Sequence, residues 1–355
     1  RLMIYLTASC NLKCIYCHCN SGGASGYMGD DDALKIVKKY IDFVLENNSD
    51  KKVIEITFMG GGEPLLRIKS IKRIVTFITE MKFEGSYALV TNGTVASDSD
   101  WDWLIKNKFK ITISADGPPE IQDNQRPFFK KQIKTSVFLE NRLRKLENLG
   151  AMISIRSTVM DTSKKSIDSI CTYFNQFTVV KTHHLEPLSP AGRGFQFGLS
   201  DNIFYRDFFV NYATYLYSQP RRYQSSWFKP LDRSNGFCGA VYGNIIVTHD
   251  GYISLCAEVD SSMKDTKLGK KYIIAHISDD NPFQSEKAKK FSCENNTKNL
   301  TLCKKCVIQH KCGGGCYIKR DRDYLGDCDK FFKHYCTYVI PLNMSYLIGL
   351  YERNA

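Results

Sequence analysis

Three cysteines stand close together near the start of the sequence, in the order Cys10-Asn-Leu-Lys-Cys14-Ile-Tyr-Cys17. This C-x3-C-x2-C spacing puts three thiolates on one short loop. Such a trio can ligate three irons of a [4Fe–4S] cluster and leave the fourth iron open to another ligand. A zinc knuckle is the other chemistry the spacing allows, but tetrahedral zinc needs a fourth ligand, which His18 or Cys19 could supply. A second dense run, Cys303-x2-Cys306-x5-Cys312-x3-Cys316, has Gly313–Gly315 freeing the backbone between its last two members. Cys238 and Cys256 lie upstream of that run, Cys328 and Cys336 downstream. Taken alone, this second set reads as a pair of zinc ribbons.

The 355 residues carry 14 cysteines. A chain of this length and core content is not a small disulfide-stapled secreted domain. Arg1–Leu6 runs into Cys10 without the apolar stretch and cleavage site of a secretory signal. Pro341, Asn343 and Ser345 interrupt Tyr338–Leu350, so no apolar run reaches the length of a membrane span. The expectation is metal or cluster ligation in a reducing cytoplasm, away from membranes. With 43% hydrophobic and 24% charged residues, disordered, collagen-like and coiled-coil classes are excluded. The net charge of +12 suits an anionic partner such as an acidic peptide or a nucleic acid.

The elements that must position the first cysteines follow an alternating pattern. Strands are expected over Met3–Leu6, Val53–Met59, Tyr87–Thr91, Lys110–Ser114, Ala151–Val159 and Val179–Leu185. Between them, helices are expected from Asp30 to Leu45, from Ile71 to Ile78, and over Trp101–Lys106, Gln132–Leu149 and Ser166–Phe177. A further helix is expected around Asn202–Tyr217. Six strands alternating with helices imply an α/β fold with a parallel sheet, open or curled into a partial barrel, and chemistry at the carboxyl ends of the strands. The cysteine loop follows the first strand, and Gly60-Gly61-Gly62-Glu63-Pro64 the second. Thr91-Asn92-Gly93-Thr94 follows the third, and Ser114-Ala115-Asp116-Gly117-Pro118 the fourth. Each of these turns is ordinary by itself. Past residue 225 the periodicity weakens, so the chain divides into 1–225 and a loop-rich, cysteine-stapled region, 226–355.

In combination and order, these strand-end motifs resemble those of the radical S-adenosylmethionine (SAM) enzymes. The resemblance implies a partial (β/α)6 barrel in which SAM chelates the open iron and yields a 5′-deoxyadenosyl radical. It implies cluster ligation by Cys10, Cys14 and Cys17, with Tyr16 beside the cofactor. Gly62 and Glu63 match the turn that meets the methionine amino group, Ser114 and Arg126 the contacts to ribose and carboxylate, and Leu185 an apolar contact to adenine. Gln122 stands where many relatives have His, and Arg156 is as well suited to a structural ion pair as to the cofactor. His183 and His184 read as packed or hydrogen-bonded.

With that first half, the later cysteines are similar to a SPASM domain, the extension that carries two auxiliary iron–sulfur clusters in peptide-modifying radical SAM enzymes. The resemblance implies Cys303, Cys306, Cys312 and Cys336 for the distal cluster. Cys336 is preferred to Cys328 because Tyr335-Cys336 stands just before the expected terminal helix. Cys238, Cys256 and Cys316 are implied for the proximal one. Sulfatase-maturating relatives often have a further cysteine between the first two, and an acidic residue after the second. Here that cysteine is missing and Ala257 follows Cys256. The expectation is an open iron that a substrate thiolate can fill, as in thioether-forming maturases. Implied partners are a ribosomally made precursor peptide and a one-electron donor such as flavodoxin or ferredoxin, with no nucleic acid. Relatives often carry a leader-binding winged-helix element upstream, a region before Arg1. Cys19, Cys171, Cys293 and Cys328 remain as free thiols. Oxidation of Ser or Cys in a protein, other carbon–carbon or ether links, and a zinc-rich nucleic-acid-binding protein are the rival readings.

Overall fold

Leu2–Ile4 (β1) is only three residues long, yet it occupies the middle of the sheet, paired in parallel with strands from both halves of the chain. The computed structural model describes residues 1–23, 26–130, 133–198, 202–219, 222–228 and 234–354. Its strands continue with β2 (Val53–Phe58), β3 (Glu84–Thr91), β4 (Lys110–Ser114), β5 (Ile153–Val159), β6 (Val180–Pro187) and β7 (Tyr223–Gln224). They end with β8 (Ile245–Val247), β9 (Tyr252–Ser254) and β10 (Ile273–His276). The spatial order is β10-β9-β8-β1-β2-β3-β4-β5-β6-β7. All neighbours from β8 to β7 are parallel, and the β8-β9 and β9-β10 pairs are antiparallel. The six-strand alternation expected from the sequence is present as β1–β6, and the sheet continues past residue 225 through β8.

Helices α1 (Asp30–Asn47), α2 (Ile68–Glu80), α3 (Asp98–Lys106), α4 (Pro119–Gln125), α5 (Thr135–Asn148), α6 (Lys164–Asn175) and α7 (Asn202–Ser218) belong to the first half. In α2, Ile71, Ile74, Val75 and Ile78 fall at i, i+3, i+4 and i+7 and are all buried. Each such side chain contributes about 1.5–3 kcal/mol over its exposed state. A reciprocal Ser97–Asp100 capping box starts α3. The expected start of α5, Gln132, lies outside the described residues. The short helix α4 was not expected, because Asp116-Gly117-Pro118 reads as a turn.

The second half adds α8 (Lys267–Tyr272), α9 (Glu286–Asn295), α10 (Gln309–Cys312), α11 (Tyr317–Asp323) and α12 (Cys328–Asn354). Helix α12 runs through Pro341, and Cys336 lies inside this helix rather than before it. Proline costs a helix interior about 3 kcal/mol, and packing offsets this: Phe331, Phe332, Tyr335, Val339 and Leu342 are buried. The Tyr217 hydroxyl also donates to the Leu342 carbonyl at 2.8 Å. One continuous hydrophobic core joins residues of both halves. Among the described residues, no helix is long and apolar enough to cross a membrane.

Candidate functional site

The Cys10–Cys17 loop leaves β1 and is tied down from several sides. Lys13 N–H donates to the Pro127 carbonyl at 2.8 Å, and Ile15 N–H to the Gln125 carbonyl at 3.0 Å, which hangs the loop on the end of α4. From the β2 turn, Gly62 N–H donates to Thr7 O at 2.7 Å and Glu63 N–H to Ser9 O at 2.9 Å. A Cβ at residue 62 would stand 1.8 Å from Ser9 O, so only glycine lets the two backbones meet. From the β3 turn, the Asn92 amide donates to Asn11 Oδ1 at 2.8 Å and reaches Cys10 Sγ at 3.9 Å. Arg193 closes the far side, with Nε on Cys14 O at 2.8 Å and Nη2 on Ser21 O at 2.6 Å.

The Glu63 carboxylate is buried and accepts from Leu65 N–H, the Thr91 hydroxyl and Asn92 N–H. Burial raises it to about 7 against the pull of those three donors. Its carboxylate therefore locks the β2 and β3 turns together.

At the β4 end, Asp116 is fully buried and gathers several of the expected residues. It receives the Tyr16 hydroxyl, Arg126 Nη2 at 3.0 Å and Thr158 N–H at 3.0 Å, and Arg126 Nε stands 3.0 Å from its other oxygen. The Arg126 guanidinium also lies 5.3 Å over the Tyr16 ring. Gln122 is buried too, accepting Asp116 N–H at 2.9 Å and leaving its Nε2 without a partner among the described residues. Ser114 ends β4, half-buried, opposite Arg156 of β5.

The structure does not bring Leu185 to this polar group: it is fully buried on the same sheet face as His183 and Ser157, opposite the face of His184 and Arg156. Strand alternation is the reason, since successive side chains of β6 point to opposite faces. His183 packs on Phe174 of α6 and meets the Ser157 hydroxyl at 2.8 Å. Burial, with Arg222 and His184, pulls it down to about 3, so its ring is neutral. His184 is hydrogen-bonded to Glu186.

None of the fourteen cysteines is in a disulfide. The thiols of Cys10, Cys14 and Cys17 lie near enough to act on one another electrostatically. Burial pushes Cys10 up to about 12. It pushes Cys14 to about 11, the Arg126 guanidinium opposing the rise.

Cys303, Cys306, Cys312 and Cys336 line a single cavity of about 280 Å³ with Ile308, Tyr335 and Val339, while Cys328 is exposed. A third group forms where Cys256 stands near Cys316 and Cys238. Glu258 faces it and pairs with Arg322 at 2.6 Å. Among the described residues, no three His, Cys, Asp or Glu side chains form a group suited to holding one metal ion.

Residues 4–165 match the profile of the Radical SAM superfamily. This part of the chain is a radical SAM domain. Over 356 aligned residues the chain is 24% identical to the cysteine-type anaerobic sulfatase-maturating enzyme of Clostridium perfringens, covering 93% of this chain and 91% of that protein. It superposes on anSMEcpe with bound AdoMet and Cp18Cys peptide with a TM-score of 0.72 at 20% identity, over 98% and 99% of the two chains. For Streptococcus suis SuiB bound to its precursor peptide SuiA the TM-score is 0.62 at 15% identity, over 90% and 72%. At these identities the likeness to solved structures is one of fold.

Radical SAM enzymes use a [4Fe–4S] cluster and SAM, and the donor set here fits both. Three free thiols share the loop after β1, and iron binding would release the protons that burial holds on Cys10 and Cys14. Beside Cys14 lies the Arg126 guanidinium, whose planar charge suits a carboxylate. Sequence reasoning missed Asp116, Asn92 and Arg193 as the residues that position this set. Asp116 and Asn92 sit inside the motifs but read as turn formers, and nothing in the sequence marks Arg193.

Proposed function

We propose that the chain is a radical SAM peptide maturase. It takes hydrogen from a ribosomally made precursor peptide and installs an intramolecular cross-link, foremost a thioether from cysteine sulfur to carbon. Residues 1–225 bind the SAM cluster, and residues 226–355 hold two auxiliary clusters. When bound, the first cluster and SAM supply a 5′-deoxyadenosyl radical that removes a hydrogen atom from the substrate. Forming the thioether would also release the thiol proton and one electron, which a one-electron acceptor of the flavodoxin or ferredoxin class would take.

The chain's own residues divide the work. Cys10, Cys14 and Cys17 are the ligands of the first cluster, and Asp116 holds the Arg126 guanidinium and the Tyr16 hydroxyl in place beside it. Cys303, Cys306, Cys312 and Cys336 line the distal cavity. The observation that carries the thioether reading is the group of Cys238, Cys256 and Cys316 with Ala257 behind Cys256: three thiols where a four-cornered cluster has room for a fourth sulfur from the substrate.

The test is to incubate the anaerobically reconstituted enzyme with SAM, reductant and the peptide encoded by the neighbouring small open reading frame. A loss of two hydrogens per link, located by tandem mass spectrometry between a cysteine and a carbon, is expected. A cysteine-containing peptide is also expected to perturb the EPR spectrum of the auxiliary clusters. Release of 5′-deoxyadenosine with no change in the peptide would sink the reading. The second reading is oxidation of a Ser or Cys in a protein. It draws on the similarity over most of the chain to the Clostridium perfringens enzyme and on Glu258, a buried-side carboxylate beside the three-thiol group.

A further inference from the structure

A second cavity, of about 320 Å³, has no cysteine in its lining and includes Lys319, which acts electrostatically on Cys316 of the three-thiol group. Tyr205, Trp227 and Tyr338 wall it, and Tyr335 separates it from the distal cysteines, with its hydroxyl 3.7 Å from Cys312 Sγ. On the other side, Tyr205 packs on the cluster of Tyr16, Leu188 and Phe204, which also touches Cys14. The cavity therefore lies between the radical SAM loop and the auxiliary cysteines.

Its chemistry is set by Lys319. This residue is 8% exposed, and its ammonium stands 4.5 Å over the Trp227 ring and 5.3 Å over Tyr205. Among the described residues it has no hydrogen bond, and no carboxylate lies within ion-pair distance of it. Cys316, Glu186 and Glu258 influence it from further away, and the two carboxylates have partners of their own, His184 and Arg322 respectively. Asp323, at the rim, is held by Arg322, while Lys330 adds a second positive charge there. A buried ammonium gives up hydration that aromatic faces return only in part. The rings leave this ammonium's charge uncompensated by any contact, which suits it to hold an anion.

Taking the peptide reading as its basis, we infer that this cavity is a subsite for the carboxylate of an acidic side chain in the substrate, held by the Lys319 ammonium. The excess of cationic residues over the whole chain favours the same class of partner.

The test uses the reconstituted holoenzyme and two capped tripeptides, alanine–glutamate–alanine and alanine–glutamine–alanine, with binding followed by saturation-transfer NMR. The glutamate peptide is expected to bind about tenfold more tightly than its glutamine counterpart. Lys319→Met is expected to abolish that ratio, and Lys319→Arg to retain it. Equal binding of the two peptides to the wild type overturns the inference, as does a ratio that persists in Lys319→Met. A Lys319→Met protein with an altered auxiliary-cluster EPR spectrum but an unchanged ratio also overturns it, and assigns the ammonium to the charge of the cluster instead. The wild-type ratio and the arginine variant decide the matter if the methionine variant does not fold. No turnover is needed, so the result stands apart from whether a cross-link forms. A cross-linking enzyme that binds both tripeptides equally would retire the subsite alone.

Discussion

The two cysteine-bearing regions reach similar chemistry by different means. Cys10, Cys14 and Cys17 sit on a loop clamped by backbone hydrogen bonds from the ends of β2 and α4, by Asn92 after β3 and by Arg193. The distal cysteines instead come from a loop, the short helix α10 and the long helix α12, and they wall an apolar cavity. Between α10 and α11 the chain turns through Gly313, Gly314 and Gly315, all at positive φ, where a side chain would be strained. The carboxyl ends of adjacent parallel strands supply hydrogen bonds that hold the first loop. The distal cysteines lie on no strand, so their placement must rely on packing and on the metal they bind.

The sharpest way to break this comparison is to remove one thiol from each region. Cys14→Ala is expected to bring 5′-deoxyadenosine release below detection. Cys336→Ala is expected to keep SAM cleavage while losing roughly four of about twelve irons. Equal loss of SAM cleavage in both would show that the two regions are not separable. Next in size is Asp116→Asn, which strands a buried guanidinium. Its expected cost is about 4 kcal/mol in urea unfolding, with weaker SAM binding by calorimetry. Asp123→Asn, which removes contacts to Ser136, should leave SAM affinity unchanged.

Gly62→Ala tests the clamp itself, with an expected loss of about 3 kcal/mol because its Cβ meets backbone rather than a yielding side chain. Gly150→Ala has a positive φ but open space, so it is expected to cost only about 1 kcal/mol by the same measurement. The smallest effect is a pH slope. Burial raises Glu63 from 4.5 to about 7, so the folded chain keeps a proton through that window that the unfolded chain has lost. Stability from this group therefore falls by about 2 kcal/mol as pH rises from 5 to 7, and is nearly constant above that. Glu63→Gln should flatten the pH dependence of urea unfolding by that amount.

Much of the first half was legible because alternation with period two and period 3.6 marks β1–β6 and their helices. The cysteine loop and its companion turns were legible because they fall at strand ends. The strands β8, β9 and β10 were not, since three or four residues carry too little periodicity to register. For Leu185 the motif position names the strand, while the sheet face depends on register, which a shift of one residue reverses. Asp116 hid in a stretch that also spells an ordinary turn.

The parallel pairing of Leu2, Met3 and Ile4 with Ile245, Ile246 and Val247 has a consequence for biosynthesis. Of these two strands β1 is made first, and it gains this neighbour only after about 240 further residues have been translated. Until then the segment bearing the first three thiols hangs from one side, with Tyr5 N–H still lacking the Val247 carbonyl. A chain stopped short of Ile245 would present an open edge at β1 where the folded protein has none.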